Sequence, residues 1–508
     1  MTYFSLALAI VAAFAGLLVY GAFSARKLGL PTQALPVSGD STAMDRALSP
    51  LLEQHQGATG LSLLTDNLEA FAIRASAARM AERSLDLQYY YWKEDLTGSL
   101  LARELIAAAD RGVRVRLLID DINTRGRDKN YRALDRHPNI HVRLFNPTRC
   151  RENALLRGIE LVLRFWSVNR RMHNKAWIAD GRLAVVGGRN IGDAYFDAAE
   201  NSNFRDMDVV AVGAAVEQAS ALFDSYWNSA VVFPILTLSF SKTDDLPLLR
   251  QRLEKTVRAQ AAKPYVTRAL EDRAVADMLA GTRTMHWTDN ARIVSDPPEK
   301  ASAGAEDSWL LKSILPALTS AQRTIAITSP YFIPRLGGAE KFVKLATEGV
   351  AISVLTNSLA ATDVAAVHGA YAPYRKKLIE GGVDLYELRV RHRAAGMSLF
   401  GSKGASLHTK AFVVDGKTGF VGSFNFDPRS VALNTEMGIL FEQPELAAEM
   451  LAVFKREVSA KRSYRLLVRD GKLRWQDGPD IVKHEPDASL RRRAVACVVS
   501  HLPVESQL

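Results

Sequence analysis

The sequence of 508 residues contains only two cysteines, Cys150 and Cys497. Two thiols are too few for a disulfide framework or a thiolate-bound zinc site, so the sequence predicts neither. Apolar residues make up 48% of the chain and charged residues 24%, which excludes an intrinsically disordered protein. A chain of this length exceeds one ordinary hydrophobic core, so we expect two domains of roughly 200 residues each.

Charged residues are absent from the segment between Phe4 and Phe23. A helix of that length would cross the hydrocarbon core of a bilayer, which is about 30 Å thick. No basic residue precedes the segment, whereas Arg26 and Lys27 follow it. This pattern favours an N-terminal transmembrane helix over residues 1–25; the alternative is a cleaved secretory signal peptide.

Positive charge exceeds negative charge, with a formal net charge of +10 and a pI of about 9.4. An excess of this size favours anionic partners, either a phospholipid surface or nucleic acid. The simpler alternative is a generally basic, solvated surface without a specific partner.

The pattern His-x-Lys-x4-Asp occurs twice in the chain. Its members are His173, Lys175 and Asp180 in the first copy and His408, Lys410 and Asp415 in the second. Each copy continues with glycine, a β-branched run, a pair of small residues and an asparagine at a matching offset, Asn190 or Asn425. A duplication of this length indicates one catalytic site built from two halves, with phosphoester chemistry as its purpose.

Three other segments also repeat with nearly constant spacing. Strand-like runs that begin at Ser84, Gly112 and Asn139 have counterparts that begin at Thr324, Gly349 and Gly382. Apolar strands that alternate with amphipathic helices indicate βαβ units, so each half should be an α/β domain with a mostly parallel sheet. The expected limits are a linker over 26–58, domains over 59–236 and 291–460, a helical connector over 237–290 and an extension over 461–508.

The geometry of a β-strand predicts the direction in which the motif side chains point. Residues two apart share a face of a strand, so each motif histidine and its lysine point the same way. The Asp-Gly pairs after Asp180 and Asp415 predict tight hairpins, whose return strands bring Asn190 towards His173 and Asn425 towards His408. We expect the two aspartates to form the turn or lock the strand rather than take part in the chemistry.

These groups suit a two-step phosphoryl displacement. A neutral imidazole can attack phosphorus and a protonated imidazole can serve the leaving oxygen, while lysines and asparagines bind the phosphoryl oxygens. This arrangement requires no metal or other cofactor.

Each ring also needs a carboxylate on its other nitrogen. We expect Glu436, which follows the second motif, and Asp208, which follows the first, with Asp206 as the alternative.

The doubled motif with its GGRN and GSFN tails resembles the phospholipase D superfamily. Further stretches, among them YYYWKEDLTG, HPNIHVRLFNP, VGGRNIGDAYF and LNTEMG, resemble bacterial cardiolipin synthases. The resemblance implies two pseudo-symmetric phospholipase D-like α/β domains with a shared central cleft. It also implies His173 as the nucleophile and His408 as the acid. Ser423 stands where the family commonly has serine, whereas its partner Gly188 departs from that pattern.

The resemblance implies transfer of a phosphatidyl group to phosphatidylglycerol, with phosphatidylethanolamine as one candidate donor, at a bacterial inner membrane. Hydrolysis of phospholipids by the same residues is the alternative, and a metal-independent nuclease is a third. The N-terminal segment and the lack of an identifiable aromatic and basic groove argue against nucleic acid as a partner. The oligomeric state and the membrane side of the cleft stay open.

A basic amphipathic stretch leads directly into the first motif, between Arg149 and Arg171. Its apolar residues at nearly helical spacing are Leu155, Leu156, Ile159, Val162, Leu163 and Trp166. A helix of this kind that carries tryptophan is typical of the interface of an anionic bilayer. The alternative is an ordinary helix that packs its apolar face on the core.

Overall fold

The computed structural model of the chain describes most of the sequence. The described residues are 5–6, 9–16, 28–124, 128–151, 153–200, 202–238, 245–271, 274–280, 283–302, 309–390, 404–502 and 505–507.

The first half carries ten strands in its described residues. They are β1 (Thr59–Leu64), β2 (Ser84–Tyr89), β3 (Arg114–Asp120), β4 (Ile140–Phe145), β5 (Ala176–Ala179), β6 (Leu183–Gly187), β7 (Ser202–Arg205), β8 (Asp208–Gly213), β9 (Val232–Pro234) and β10 (His286–Thr288). Its α-helices are α1 (Ala43–Gln54), α2 (Asn67–Met80), α3 (Leu96–Asp110), α4 (Asp128–Asp135), α5 (Ala154–Leu163), α6 (Phe165–Val168), α7 (Ala214–Trp227), α8 (Leu246–Arg258), α9 (Lys263–Glu271) and α10 (Ala274–Leu279).

The second half repeats this plan. Its strands are β11 (Ala291–Ser295), β12 (Thr324–Thr328), β13 (Ala351–Asn357), β14 (Asp384–Leu388), β15 (Gly404–Leu407), β16 (Ala411–Val414), β17 (Thr418–Gly422), β18 (Met437–Glu442), β19 (Ser463–Arg469), β20 (Lys472–Asp477) and β21 (Asp480–Val482). Its α-helices are α11 (Trp309–Thr319), α12 (Arg335–Thr347), α13 (Ala365–Tyr371), α14 (Tyr374–Glu380), α15 (Pro428–Ala432), α16 (Pro444–Glu457) and α17 (Leu490–Val499).

Each half forms one large mixed sheet. Within the described residues the strand orders are β10-β1-β8-β6-β5-β2-β3-β4-β9 and β11-β18-β17-β16-β12-β13-β14-β19-β20-β21. The duplication and the α/β class are therefore confirmed, but the expectation of mostly parallel sheets is wrong. Within these two large sheets, only the described βαβ segments β2-β3-β4 and β12-β13-β14 pair in parallel, because the motif strands return through tight turns that force antiparallel pairing.

The two Asp-Gly hairpins predicted at Asp180 and Asp415 are confirmed, and a third forms at Asp470. Each of these aspartates has a φ of 52°, and the glycine after it also has a positive φ. This backbone is that of the two-residue hairpin turn whose twist matches the flanking strands, and it explains why the sequence uses Asp-Gly there.

The two sheets pack against each other through a shared apolar layer. Met207 and Val209 of the first half join Val421 and Ile439 of the second in one buried cluster. The small parallel pair β7-β15 adds direct backbone bonding between the halves. The site lies where these halves meet.

The N-terminal region differs in part from the expectation. Much of the predicted anchor lies outside the described residues, and 9–16 are helical and mostly exposed. Among the described residues, no helix combines the length and the hydrophobicity needed to cross a bilayer. The predicted linker is not extended throughout, since it contains α1, whose N-terminus is closed by a capping box at Thr42.

The turn aspartates lock the motif hairpins to the neighbouring strand. The Asp180 carboxylate accepts backbone N–H bonds from residues 82–84, and Asp415 accepts the equivalent bonds from residues 322–324. Burial would raise the pKa of Asp415, but the three N–H donors outweigh it and lower the pKa. The geometry matches the strand-locking role.

Asp180→Ala should therefore lower the free energy of unfolding by about 3 kcal/mol. The backbone N–H groups of residues 82–84 lose their acceptor, and alanine is strained at the positive φ of this position. Asp470→Ala is the matched control: the same turn at an exposed site should lose only about 1 kcal/mol. Urea unfolding measures both values. Equal losses, or loss of activity per folded molecule in Asp180→Ala, would contradict strand locking.

Candidate active site

Backbone bonds attach each motif histidine to the opposite half of the molecule. His173 N donates to Thr435 O at 2.8 Å, and His408 N donates to Arg205 O at 2.8 Å. Thr435 N in turn donates to Arg171 O at 2.8 Å. The two histidines are therefore positioned by the docking of the halves as well as by their own hairpins.

The carboxylates on the two rings are exchanged between the halves. His173 Nδ1 lies 2.8 Å from Glu436 Oε2, and His408 Nδ1 lies 2.5 Å from Asp206 Oδ2. Because the Nδ1 atoms face carboxylates, Nε2 is the nitrogen of each ring that can face a substrate. All four side chains are buried.

The structure contradicts the expectation that Asp208 orients a ring; the alternative, Asp206, makes that contact. Gly188 N donates to Met207 O and Ser423 N donates to Met437 O, so Asp206-Met207 and Glu436-Met437 are equivalent segments. The shared acid–methionine pair was the sequence signal for this alignment.

Asp208 lies behind the site instead. It forms buried ion pairs with Arg74 at 2.8 Å and Arg189 at 3.2 Å. Arg189 also donates to Asp206 O at 2.8 Å. Asp208 thus braces the segment that carries the histidine's true partner.

Asp206→Asn should lower kcat by about 10²- to 10⁴-fold with little loss of stability, because His408 loses the anion that orients it. Asp208→Asn is the matched control. It should lower the melting temperature, since it breaks a buried ion pair, and retain most of its activity when folded. Steady-state kinetics and thermal unfolding distinguish the two, and the reverse pattern would restore Asp208 as the orienting residue.

Both motif lysines are buried and bond to the backbone beside their own histidines. Lys175 Nζ donates to His173 O at 2.5 Å, and Lys410 Nζ donates to His408 O. Burial lowers the pKa of Lys175 to about 7 and that of Lys410 to about 8. A bound phosphate would favour the charged form of both ammonium groups.

The two motif asparagines are also buried. Asn190 directs its amide Nδ2 to the Tyr195 hydroxyl at 3.0 Å. Among the described residues, the Oδ1 atoms of Asn190 and Asn425 have no hydrogen-bond partner. Unpaired polar atoms are rare in a protein interior, so these two mark positions where a ligand group could bind.

Aromatic rings that the sequence reasoning did not assign to the site enclose the two histidines. The Tyr90 ring centroid lies 5.1 Å from that of His173. Tyr195 and Phe204 lie 5.1 and 5.0 Å from His408. Tyr90 and Tyr195 belong to stretches that carried the family resemblance, but no spacing rule pointed to their contacts with the histidines.

The two halves of the site differ in charge. Burial raises the pKa of Glu436 to about 7, because Lys175 and Ser423 only partly offset it. At Asp206, burial is outweighed by His408, Lys410 and Arg189, and the pKa falls to about 2. At neutral pH, His408 therefore faces a full negative charge, whereas His173 faces a carboxyl group that is partly protonated.

These surroundings also shift the pKa of the two histidines. Burial, followed by the charges of Lys175, Lys410 and His408, holds the pKa of His173 well below its usual value. Burial and Lys410 also lower the pKa of His408, but Asp206 opposes them. The pKa is therefore lowered more strongly at His173 than at His408, whose carboxylate partner is ionised.

The asymmetry between Ser423 and Gly188 has a steric cause. The Ser423 hydroxyl donates to Glu436 Oε2 at 2.5 Å and accepts from Met437 N at 3.0 Å. A Cβ at Gly188 would lie only 2.2 Å from Asp206 Oδ1. Glycine is required there because the Asp206 carboxylate occupies the space that a side chain would fill.

One group with metal-ligating atoms lies apart from the motifs, formed by His368, Glu387 and Glu485. Arg375 Nη1 lies 3.2 Å from Glu387 and 2.7 Å from Glu485. One guanidinium therefore pairs with both carboxylates, and the cluster is explained as a buried ion-pair network.

Two His-Lys pairs in one buried site, with each ring held by a carboxylate, define a protein of the phospholipase D class. The family model described as the PLD-like domain of cardiolipin synthase matches residues 75–227 and 314–458. The chain belongs to this family of PLD-like cardiolipin synthases.

Individual relatives agree with this family. The chain is 43% identical to cardiolipin synthase C of Escherichia coli over 475 residues, covering 90% of this chain and 98% of the relative. It is 26% identical to a cardiolipin synthase of Staphylococcus aureus, covering 81% and 72% of the two chains. The crystal structure of phosphatidylserine synthase from Haemophilus influenzae shares the fold, with a TM-score of 0.59, 14% identity and coverage of 92% and 100%.

Proposed function

We propose that this protein is a phosphatidyltransferase that forms cardiolipin from phosphatidylglycerol and a second phospholipid, with phosphatidylethanolamine as a candidate donor. The observation that carries the proposal is the pair of crossed contacts, His173 with Glu436 and His408 with Asp206. Membership of the cardiolipin synthase family supports the choice of substrate class.

In the first step, His173 Nε2 attacks the phosphorus of the donor. The bond from phosphorus to the headgroup oxygen breaks, and protonated His408 gives its proton to that oxygen. The product is a phosphatidyl group on His173, which divides one difficult displacement into two. The neutral ring beside Glu436 suits the nucleophile, and the ring beside ionised Asp206 suits the acid.

In the second step, neutral His408 takes the proton from a hydroxyl of the acceptor phosphatidylglycerol. That oxygen attacks phosphorus, the bond between phosphorus and nitrogen breaks, and His173 returns to its neutral form. Lys175 and Lys410, assisted by Asn190 and Asn425, would hold the negative phosphoryl oxygens throughout.

Hydrolysis would use the same groups with water as the acceptor. The burial of both rings under Tyr90, Tyr195 and Phe204 favours transfer, because a site that restricts water protects the intermediate until a lipid hydroxyl arrives. The N-terminal apolar segment supports a location at the bacterial inner membrane, where it would serve as a single anchor.

The deciding experiment incubates the purified protein with labelled phosphatidylglycerol, with and without phosphatidylethanolamine, and separates the products by chromatography. We expect cardiolipin. Phosphatidic acid as the main product would establish a hydrolase instead. Parallel reactions with excess EDTA should give the same yield, and a sharp loss would require a metal in the mechanism.

His173→Ala should abolish both turnover and the covalent phosphoenzyme, because no nucleophile remains. His408→Ala should still form the intermediate but should be slower by about 10²- to 10⁴-fold, the usual cost of losing general acid–base help. Acid-quenched reactions with a phosphorus-labelled donor measure both quantities. Full activity in either variant, or a phosphoenzyme in His173→Ala, would refute the assigned roles.

A further inference from the structure

The helix pair α5 and α6 turns its apolar face to solvent, whereas an ordinary surface helix packs that face on the core. Most of its large apolar side chains are exposed rather than packed on the core, with Val162 at 77%, Leu155 at 74% and Trp166 at 71% exposure, whereas Val168 is buried. The exposed set comprises Leu155, Leu156, Ile159, Val162, Leu163, Phe165 and Trp166. The alternative of a helix that buries this apolar face in the core is therefore wrong.

The side chain that attaches this helix to the body is an acid. Glu160 is fully buried, and its carboxylate accepts from Arg149 N at 2.8 Å and Cys150 N at 2.9 Å. It also pairs with Arg164 at 2.5 Å. Glu160 is the only acidic residue in α5 and α6, so its burial leaves the outer face without negative charge.

A second apolar face of this kind lies on α17 in the other half. Leu490 is 82% exposed, and Val495, Val498 and Leu502 are exposed as well. The inner side of α17 packs closely on α13, where a Cβ at Gly369 would approach Ala496 O to 2.6 Å. This helix also contains no acidic residue, and three consecutive arginines follow its first residue.

A contact links the region that follows α17 to the region that follows α6. Gln507 Oε1 accepts from Asn169 Nδ2 at 2.9 Å. Asn169 directly follows α6 and lies four residues before His173. Arg429 Nη2, from the second half, donates to Asn169 O at 2.7 Å. A residue that follows α17 therefore contacts the short segment between α6 and the first motif.

We propose that α5–α6 and α17 together form a lipid-docking platform, which inserts its apolar side chains into an anionic phospholipid bilayer and holds the cleft at that surface. An anionic bilayer fits as the occupant because the faces offer large aliphatic and aromatic groups, arginines and no acid. The docking of the platform to a bilayer does not depend on the proposed function. Only its purpose, the delivery of a lipid substrate, rests on that function.

The docking test uses the full chain with Cys150→Ser and Cys497→Ser and one new cysteine for an environment-sensitive fluorophore. Val162→Cys and Val498→Cys report on the two helices, and Leu248→Cys, exposed on α8, is the control. With phosphatidylglycerol–phosphatidylethanolamine vesicles carrying acyl-chain quenchers, the first two labels should shift to the blue and be quenched. The control label should not change.

Two results would overturn the platform. One is a label at 162 or 498 that stays in water on vesicle-bound protein. The other is a blue shift that appears without lipid and grows with protein concentration, which would make the apolar face a contact between two copies of the chain. Neither readout depends on turnover, so this test is independent of the proposed reaction.

The kinetic test combines Leu155→Ser, Val162→Ser and Trp166→Ser. Activity on vesicles should fall at least about tenfold, because three inserted apolar groups are lost, while activity on short-chain phospholipids below their micelle concentration should not change. Leu248→Ser is the matched control and should not affect either activity. Full activity of the triple variant on vesicles would refute the platform. Failure of the proposed function would instead appear as wild-type protein that forms no cardiolipin-type product from either substrate.

Discussion

The exchange of carboxylates between the two halves is the interaction on which the site depends. Each imidazole is supplied by one half and oriented by an acid of the other, His173 by Glu436 and His408 by Asp206. Neither half can assemble a complete histidine–acid pair by itself. The apolar layer between the sheets therefore does more than stabilise the fold, because it sets the register in which the two pairs form.

Duplication supplied two equal sets of groups, and their surroundings made them unequal. Burial raises the pKa of Glu436 to about 7, whereas His408, Lys410 and Arg189 outweigh burial at Asp206 and lower its pKa to about 2. Two-step transfer needs one ring that is free of its proton and another that holds it. The pKa of both histidines lies below its usual value, but the ionised Asp206 opposes the shift at His408, and this difference would separate the two roles in the proposed reaction.

A lipid enzyme must join a water-restricted reaction centre to a substrate that stays in a membrane. The aromatic rings around the two histidines meet the first requirement, and the outward apolar helices offer a solution to the second. Helix α5 can expose its apolar face because the buried Glu160 attaches the helix to the body. The Glu160 carboxylate accepts from backbone N–H groups, so hydrophobic burial is not needed to keep the helix in place.

Local sequence patterns determined many structural features of this protein. The two motifs, their Asp-Gly hairpins, the strand-locking aspartates and the duplication follow from periodicity and turn chemistry, which act over a few residues. The partner of each histidine, the mixed sheets and the outward face of α5 do not, whereas the acid–methionine pair is a local signal for Asp206 over Asp208. The histidine–acid pairs join residues more than 200 positions apart, and spacing along the chain carries no information about how those segments dock. Only the tertiary structure decides which acid reaches which ring.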